Sequence, residues 1–391
     1  MTTTPLPARL RATTREVAMP DDALDAFDRH GFAWLHHTTR IVTSGVAARL
    51  APDDAAMVLA AVDADDPLSV PGSGPIAVGA LPFDPGAAGE LVVPARVHGV
   101  RDGRAWITEI GPADVGAAVT AVPPTRFHVA APRTREHWRA AVEHALAGIE
   151  AGEIDKVVLA REVLIEADAA FDAHEIVRSL VASQPGSFVY ASEGFVGASP
   201  ELLVRRTGSI VESRPVAGTT VADSDDALIA LAASVKDTRE HGFVVDGIVD
   251  VLGPRCDELH ADAAPEVAVF GPVAHLATPI RGRLAAPAPT ALELARLLHP
   301  TPAVGGTPRR AALDAIRALE GFDRGRYAGP VGWVDARGDG EWAIALRGAE
   351  LDGARARLVA GAGIVAGSDP DAEWAETQAK LEPMLRALVR P

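Results

Sequence analysis

Cysteine is almost absent from this chain of 391 residues: Cys256 is the only one. An intrachain disulfide and a thiolate metal cluster are thereby excluded. No run of about 18 apolar residues occurs, and the N-terminal stretch "MTTTPLPARLRATTREVAMPDDALDAF" has no apolar core of signal-peptide length. A soluble cytoplasmic protein with no membrane partner is expected. Clusters of Lys and Arg are missing as well. With 37 basic against 53 acidic residues the net charge is -16, which disfavours nucleic-acid binding, because phosphate neutralisation is its main driving term. There is no GxxxxGK[ST] phosphate loop and no GxGxxG that follows a strand and opens a helix. A small anionic ligand would be repelled by the overall field, so its site needs local cations or a metal. A divalent ion in the acid-rich tail would meet that need.

What is present is a normal globular composition, 48% hydrophobic and 23% charged, enough to bury a sizeable core. Residues 1 to about 120 read as strands and turns, as in "FAWLHHTTRIV", "PIAVGALPF" and "RAWITEIG", without a chemical motif. "VPPTRFHVAAPRT" (122–134) is a candidate linker. Beyond it, Trp138, Val142, Leu146 and Ile149 have helical spacing, and "KVVLAREVLIEA" turns to β-forming residues. "SFVYASEGFVGASPELLVRR" reads as a hairpin. "SDDALIALAASVKDTREHGFVVDGIVDVL" reads as one long helix with Leu228, Leu231, Val235, Val245, Ile248 and Leu252 apolar. A strand at "PEVAVFGPVAHLATPI", helices at "PTALELARLL" and "PRRAALDAIRALE", and a three-stranded meander at "AGPVGWVD", "EWAIALRGAEL" and "ARARLVAGAGIV" follow. The mix of hairpins and helices predicts an α+β fold rather than a βαβ order.

Candidate chemistry concentrates in a few places. In "GAGIVAGSDPDAEWAETQAK" (361–380), Asp369 caps a helix that begins at Pro370, so Glu373, Glu376 and Lys380 share one face. A solvated face with a Glu376–Lys380 pair is the plain alternative. Lys156 opens an apolar strand; it either snorkels at the strand end or points inward as a candidate general base, since burial disfavours an ammonium. Glu201, after a Ser-Pro turn, is an exposed turn acid or a carboxylic acid kept protonated by an apolar pocket. Glu240 and His241 lie mid-helix beside Lys236 and Asp246. Surface pairing of Glu240 with Lys236 is the simpler reading, yet Gly242 follows at a cost of about 1 kcal/mol. His275 sits among small apolar residues, where a satisfied core histidine is the commoner fate. "SRPVAGTT" and "GAGIVAG" offer Gly-flanked amides to a carboxylate. Arg347, in an otherwise apolar strand, calls for an anionic partner.

Read together, "KVVLAR", "ASPELL", "RPVAGT", "REH…VVD", "HLATPI", "LHPTPAVGGTP", "YAGPVGW", "GDGEWAIALR" and "AGAGIV…SDP..EW.ET..K" resemble, in order and spacing, the chorismate-utilising enzymes over roughly residues 135–390. That family includes isochorismate synthase, salicylate synthase, anthranilate synthase component I and aminodeoxychorismate synthase; the likeness is greatest to isochorismate synthase. The resemblance implies one large chorismate-binding domain over 1–391, with two β-sheets layered between helices and an N-terminal third that contributes little chemistry. It implies Mg²⁺-dependent, reversible conversion of chorismate to isochorismate in menaquinone or siderophore biosynthesis, by a monomer without an obligatory protein partner. Lys156 would activate water for attack at C2, and Glu201 would protonate the departing C4 hydroxyl. Glu240 and Glu376 would hold Mg²⁺, with Glu373 beside it. Lys380 and the backbone at Gly361 would receive a substrate carboxylate. Arg347, helped by Tyr327, Gly218 and Thr219, would take the enolpyruvyl carboxylate, and His275 would approach the ring. Ala303 stands where salicylate synthases usually carry Thr, which argues against that alternative. A non-catalytic anion-binding relative is the remaining alternative. Val216 and Gly242 depart from the family pattern.

Overall fold

The computed structural model describes residues 10–28, 31–37, 39–111 and 123–389. Among them are eight α-helices, a connected network of 20 strands and a separate sheet of three. Among the described residues only Arg11–Val17 with Asp63–Asp65 pairs parallel; every other ladder there is antiparallel, in keeping with the expected α+β fold. No helix among the described residues is long and apolar enough to cross a membrane.

The N-terminal third is built into the same network. Phe32–Leu35 pairs with Phe188–Ser192, and Ile76–Ala80 pairs with Pro330–Asp335. Its Trp34 is fully buried and donates to Glu341, also fully buried, at 2.9 Å. Strand Lys156–Ala167 lies between Phe127–Ala130 and Arg355–Ile364, hydrogen-bonded along ten residues to the latter. The last helix, Pro370–Val389, packs across that ladder and against helices Arg135–Glu150 and Ala173–Ser183. Its apolar face buries Leu381, Met384, Ala387 and Leu388 against Ile176, Leu180, Leu358 and Ala360, at about 1.5–3 kcal/mol for each large side chain removed from water. Asp369 caps it as expected, accepting from the amides of Asp371 and Ala372 at 3.1 and 2.9 Å. Trp138 Nε1 donates to Pro370 O, and Arg161 donates to Thr377 Oγ1 at 2.7 Å while stacking over Trp374. These contacts fix the rotation of the helix, and with it the direction of Glu373, Glu376 and Lys380.

Four sequence expectations give way. Apart from Val122, which lies outside the described residues, the linker candidate contains a strand, Phe127–Ala130, paired with Lys156–Ala167. The long helix is two, Asp225–Ala233 and Val235–Leu252. Ser234 adopts extended backbone between them and its side chain caps the second at Asp237 N. The break leaves Val235, expected in the core, 83% exposed. The strand at 265–280 is a hairpin, Glu266–Phe270 with Val273–Ala277, turned at Gly271. The three-stranded meander is two hairpins: "EWAIALRGAEL" divides into Gly340–Ile344, paired with Pro330–Asp335, and Gly348–Asp352, paired with Arg355–Ile364. Arg347, at φ 49°, is the break.

Candidate active site

Lys156 begins strand Lys156–Ala167 and is fully buried. Its Nζ stands 2.9 Å from Glu240 Oε1, an ion-pair contact without hydrogen-bond alignment. Glu240 comes from helix Val235–Leu252 and reaches this point across a gap left by Gly363. A Cβ on residue 363 would lie 2.2 Å from Glu240 Oε1 and 3.1 Å from Lys156 Cε. Here the glycine serves close approach rather than backbone freedom. Burial pushes the Glu240 carboxyl upward, but Lys156, Lys380 and Lys236 together bring it below its ordinary value.

Glu201 follows the bend at Ser199–Pro200, where Ser199 Oγ accepts from its amide at 3.2 Å. It is 1% exposed and its Oε1 has no partner. Burial pushes this acid up to about 8, with Lys156, a backbone amide at Val216 and Lys380 pulling only part of the way back. It is therefore protonated at neutral pH, as the apolar-pocket reading requires.

The opposite wall carries Arg347, His275, Gly218 and Thr219. Val216–Val221 pairs with Val273–Ala277, with a register shift at Gly218, whose φ is 67°. This bulge brings Gly218 O to 3.0 Å from His275 Nδ1, and Thr219 Oγ1 lies 3.2 Å from the same nitrogen. Arg347 donates to His275 Nε2 and to Phe270 O. A guanidinium has no acceptor, so Nε2 must accept and the ring proton sits on Nδ1, donated to Gly218 O. Burial first, then Arg347 and Lys380, hold this imidazole neutral. His275 is thus satisfied, as its apolar surroundings suggested, and it also lines the pocket.

Arg347 is 6% exposed, and among the described residues no carboxylate pairs with it. Burial lowers its pKa only to about 10, so it stays charged. A buried guanidinium without an anion points to an anionic ligand. Lys380 Nζ, 3.1 Å from Gly361 O, lines the same cavity. Glu201, Gly218, Thr219, His275, Ala303, Tyr327, Arg347, Gly361 and Lys380 all face that space. Burial raises the Tyr327 phenol, so it remains a neutral donor.

On the acid side three carboxylates each meet one lysine. Lys156 faces Glu240 at 2.9 Å, Lys236 faces Glu373 at 2.8 Å, and Lys380 faces Glu376 at 2.6 Å. Burial raises the Glu376 carboxyl, Lys380 opposes this, and Glu373 and Glu240 raise it further. The three acids therefore feel one another. In kind they suit a hard divalent cation: carboxylate oxygens from two helices, Glu373 itself only 2% exposed. Among the described residues no such group is gathered in metal-holding geometry; the lysines take the oxygens instead.

The structure thus brings all the expected residues into one neighbourhood, with the Glu376–Lys380 pair as expected. It overturns the Lys236–Glu240 surface pair, because Lys236 turns across to Glu373. Gly242 faces open space, where a Cβ would meet nothing, and nothing in the structure explains it. Sequence reasoning missed Gly363 and gave Lys236 the wrong partner. For Lys236 a signal existed: only three of the 37 basic residues are lysines, and all three are here.

The family model for chorismate binding enzymes matches residues 117–389. Over 81% of this chain and 81% of its own length, the isochorismate synthase DhbC of Bacillus subtilis is 37% identical. The isochorismate synthase EntC of Escherichia coli is 38% identical over 80% of each chain. The structure of the menaquinone-specific isochorismate synthase MenF from Escherichia coli superimposes with a TM-score of 0.84 at 26% identity, covering 99% of this chain and 97% of that one. With its site geometry and these likenesses in agreement, the chain belongs to the chorismate-binding enzyme family.

Proposed function

We propose that this protein is an isochorismate synthase, interconverting chorismate and isochorismate by addition of water at C2 and loss of the C4 hydroxyl. The observation that carries the reading is the burial in one site of Glu201, an acid protonated at neutral pH, and Lys156, a lysine whose Nζ is 2.9 Å from Glu240. Water is a poor nucleophile and must lose a proton as it attacks, while hydroxide is a poor leaving group and must gain one. Lys156 takes the first role and Glu201 the second.

A dicarboxylate substrate explains the rest of the pocket. Arg347, oriented by His275 and Phe270 O, binds the enolpyruvyl carboxylate, with Tyr327 and the Gly218–Thr219 backbone beside it. Lys380 and the backbone at Gly361 receive the ring carboxylate, and Ala303 leaves its side of the cavity uncluttered. Glu240 and Glu376, with Glu373 beside them, are the residues that would hold Mg²⁺, which when bound supplies positive charge against the substrate carboxylate.

The test is incubation of the purified protein with chorismate and Mg²⁺, with products resolved by chromatography and proton NMR. A mixture of chorismate and isochorismate approached from either side is expected. No turnover by folded protein, or salicylate with pyruvate as the main products, would overturn the assignment.

A further inference from the structure

Lys236 is the one lysine of the three to which the proposed chemistry gives no task. It is the second residue of helix Val235–Leu252, set in place by the break at Ser234. That first turn lies against the pocket wall: a Cβ on Gly218 would come within 2.9 Å of Asp237 Cβ. From there the side chain, 40% exposed, extends to Glu373, whose side chain is only 2% exposed. Its stem lies at the surface and its head enters the acid cluster. In a chain that meets nearly every need for a cation with arginine, lysine at this position has a chemical meaning. A guanidinium would grip the carboxylate through two parallel bonds, whereas an ammonium is a compact point charge on a flexible stem that can withdraw.

A divalent ion that took oxygens from Glu240, Glu373 and Glu376 would have to displace these lysine partners. Lys156 is fully buried and Lys380 is held also by Gly361 O, so Lys236 has the easiest route out. We propose that Lys236 is a tethered counter-cation that competes with the divalent ion for Glu373, keeping the acid cluster neutral until the ion displaces it into solvent. Lys236 is on this account a positioning residue, and the inference rests on the reading of these three acids as the ion's ligands.

The ion's affinity, rather than turnover, is the readout. Mn²⁺ binding would be measured by electron paramagnetic resonance and by calorimetry with wild type, Lys236→Met, Lys236→Arg and Glu376→Gln. Removing the competitor in Lys236→Met should tighten Mn²⁺ on the order of ten-fold, within the usual span of site-to-site coupling. Lys236→Arg should weaken it, because the fork does not withdraw. Because only three lysines exist, protein labelled with ¹³C at lysine Cε should give three side-chain resonances. The one lost in Lys236→Arg should move toward the free-lysine position when Mg²⁺ is added. If Glu376→Gln abolishes Mn²⁺ binding while Lys236→Met leaves it unchanged or weaker, the counter-cation role is overturned and the ligand assignment stands. Absence of Mn²⁺ binding by the wild type would overturn both.

Discussion

Replacing Glu201 by Gln keeps the shape of the side chain and removes its titration, so the variant isolates what burying this acid does to the fold. Folded, the carboxyl holds its proton up to a pKa of about 8; its ordinary value is 4.5. Below pH 4.5 both states are protonated and the residue contributes no pH dependence. Between 4.5 and 8 the unfolded chain ionises and the folded one does not, so folding stability falls as pH rises, and above 8 the loss levels off. At 1.36 kcal/mol per pKa unit the full loss is about 5 kcal/mol, with about 3 kcal/mol of it present at pH 7. Other groups titrate in both proteins and largely cancel in the difference. Urea unfolding of wild type and Glu201→Gln should therefore give nearly equal stabilities at pH 5 and a widening advantage for Gln at pH 7 and pH 9. Catalysis should run the other way, with Glu201→Gln losing a factor of about 10²–10⁴ and wild-type activity falling as pH rises through about 8. A stability difference that stays flat within about 1 kcal/mol from pH 5 to pH 9 would refute the claim that this acid is buried and protonated.

Three other perturbations test separate parts of the site. Lys156→Gln should lower isochorismate formation by about 10²–10⁴ while leaving the fold intact by circular dichroism; retention of most of the rate would remove Lys156 from the base role. Gly363→Ala places a Cβ 2.2 Å from Glu240 Oε1. It should displace that carboxylate and cut turnover by at least about ten-fold, at a stability cost of about 1–3 kcal/mol; normal kinetics would show that Glu240 need not sit there. Arg347→Met should raise the chorismate KM by about 10- to 100-fold, the worth of a charged hydrogen-bonded contact, and Arg347→Lys should not restore it. An unchanged KM in either variant would mean that the substrate carboxylate lies elsewhere.

What the sequence disclosed and what it hid divide along the range of the interactions. The acid helix was legible because its cap, its proline and its apolar face are all local, and Glu373, Glu376 and Lys380 lie on one face as a consequence. The break at Ser234 was not, because apolar residues continue through it. Only tertiary packing determines that Leu231 is buried while Val235 is left in water. The division of "EWAIALRGAEL" was hidden for a similar reason: an arginine at φ 49° leaves no trace in a pattern of alternating side chains. Lys236 was misassigned because the acid one helical turn away is Glu240, whereas its partner in space is Glu373. The resemblance supplied the roles, since nothing local distinguishes Lys156 from any other lysine at a strand end.

Formal charge shows why those long-range pairings matter to the proposed reaction. In the form that the proposed base role requires, with Lys156 an unprotonated amine, and with Glu201 and His275 uncharged, the site would hold three cations, Lys236, Lys380 and Arg347. Against them stand three carboxylates, Glu240, Glu373 and Glu376. The balance in that form would be zero, and the chain as a whole carries -16. A dicarboxylate entering this pocket would leave two negative charges uncompensated in a partly desolvated space, where such charges are costly. One divalent cation, if held by the same three acids, would restore neutrality. Held there, such an ion would draw the acids away from their lysines, leaving the ammonium of Lys380 to the substrate and Lys156 without the carboxylate at 2.9 Å. The acid helix and the lysines facing it would on this account form one exchangeable set of ion pairs, so that binding the cation prepares the pocket for its anion.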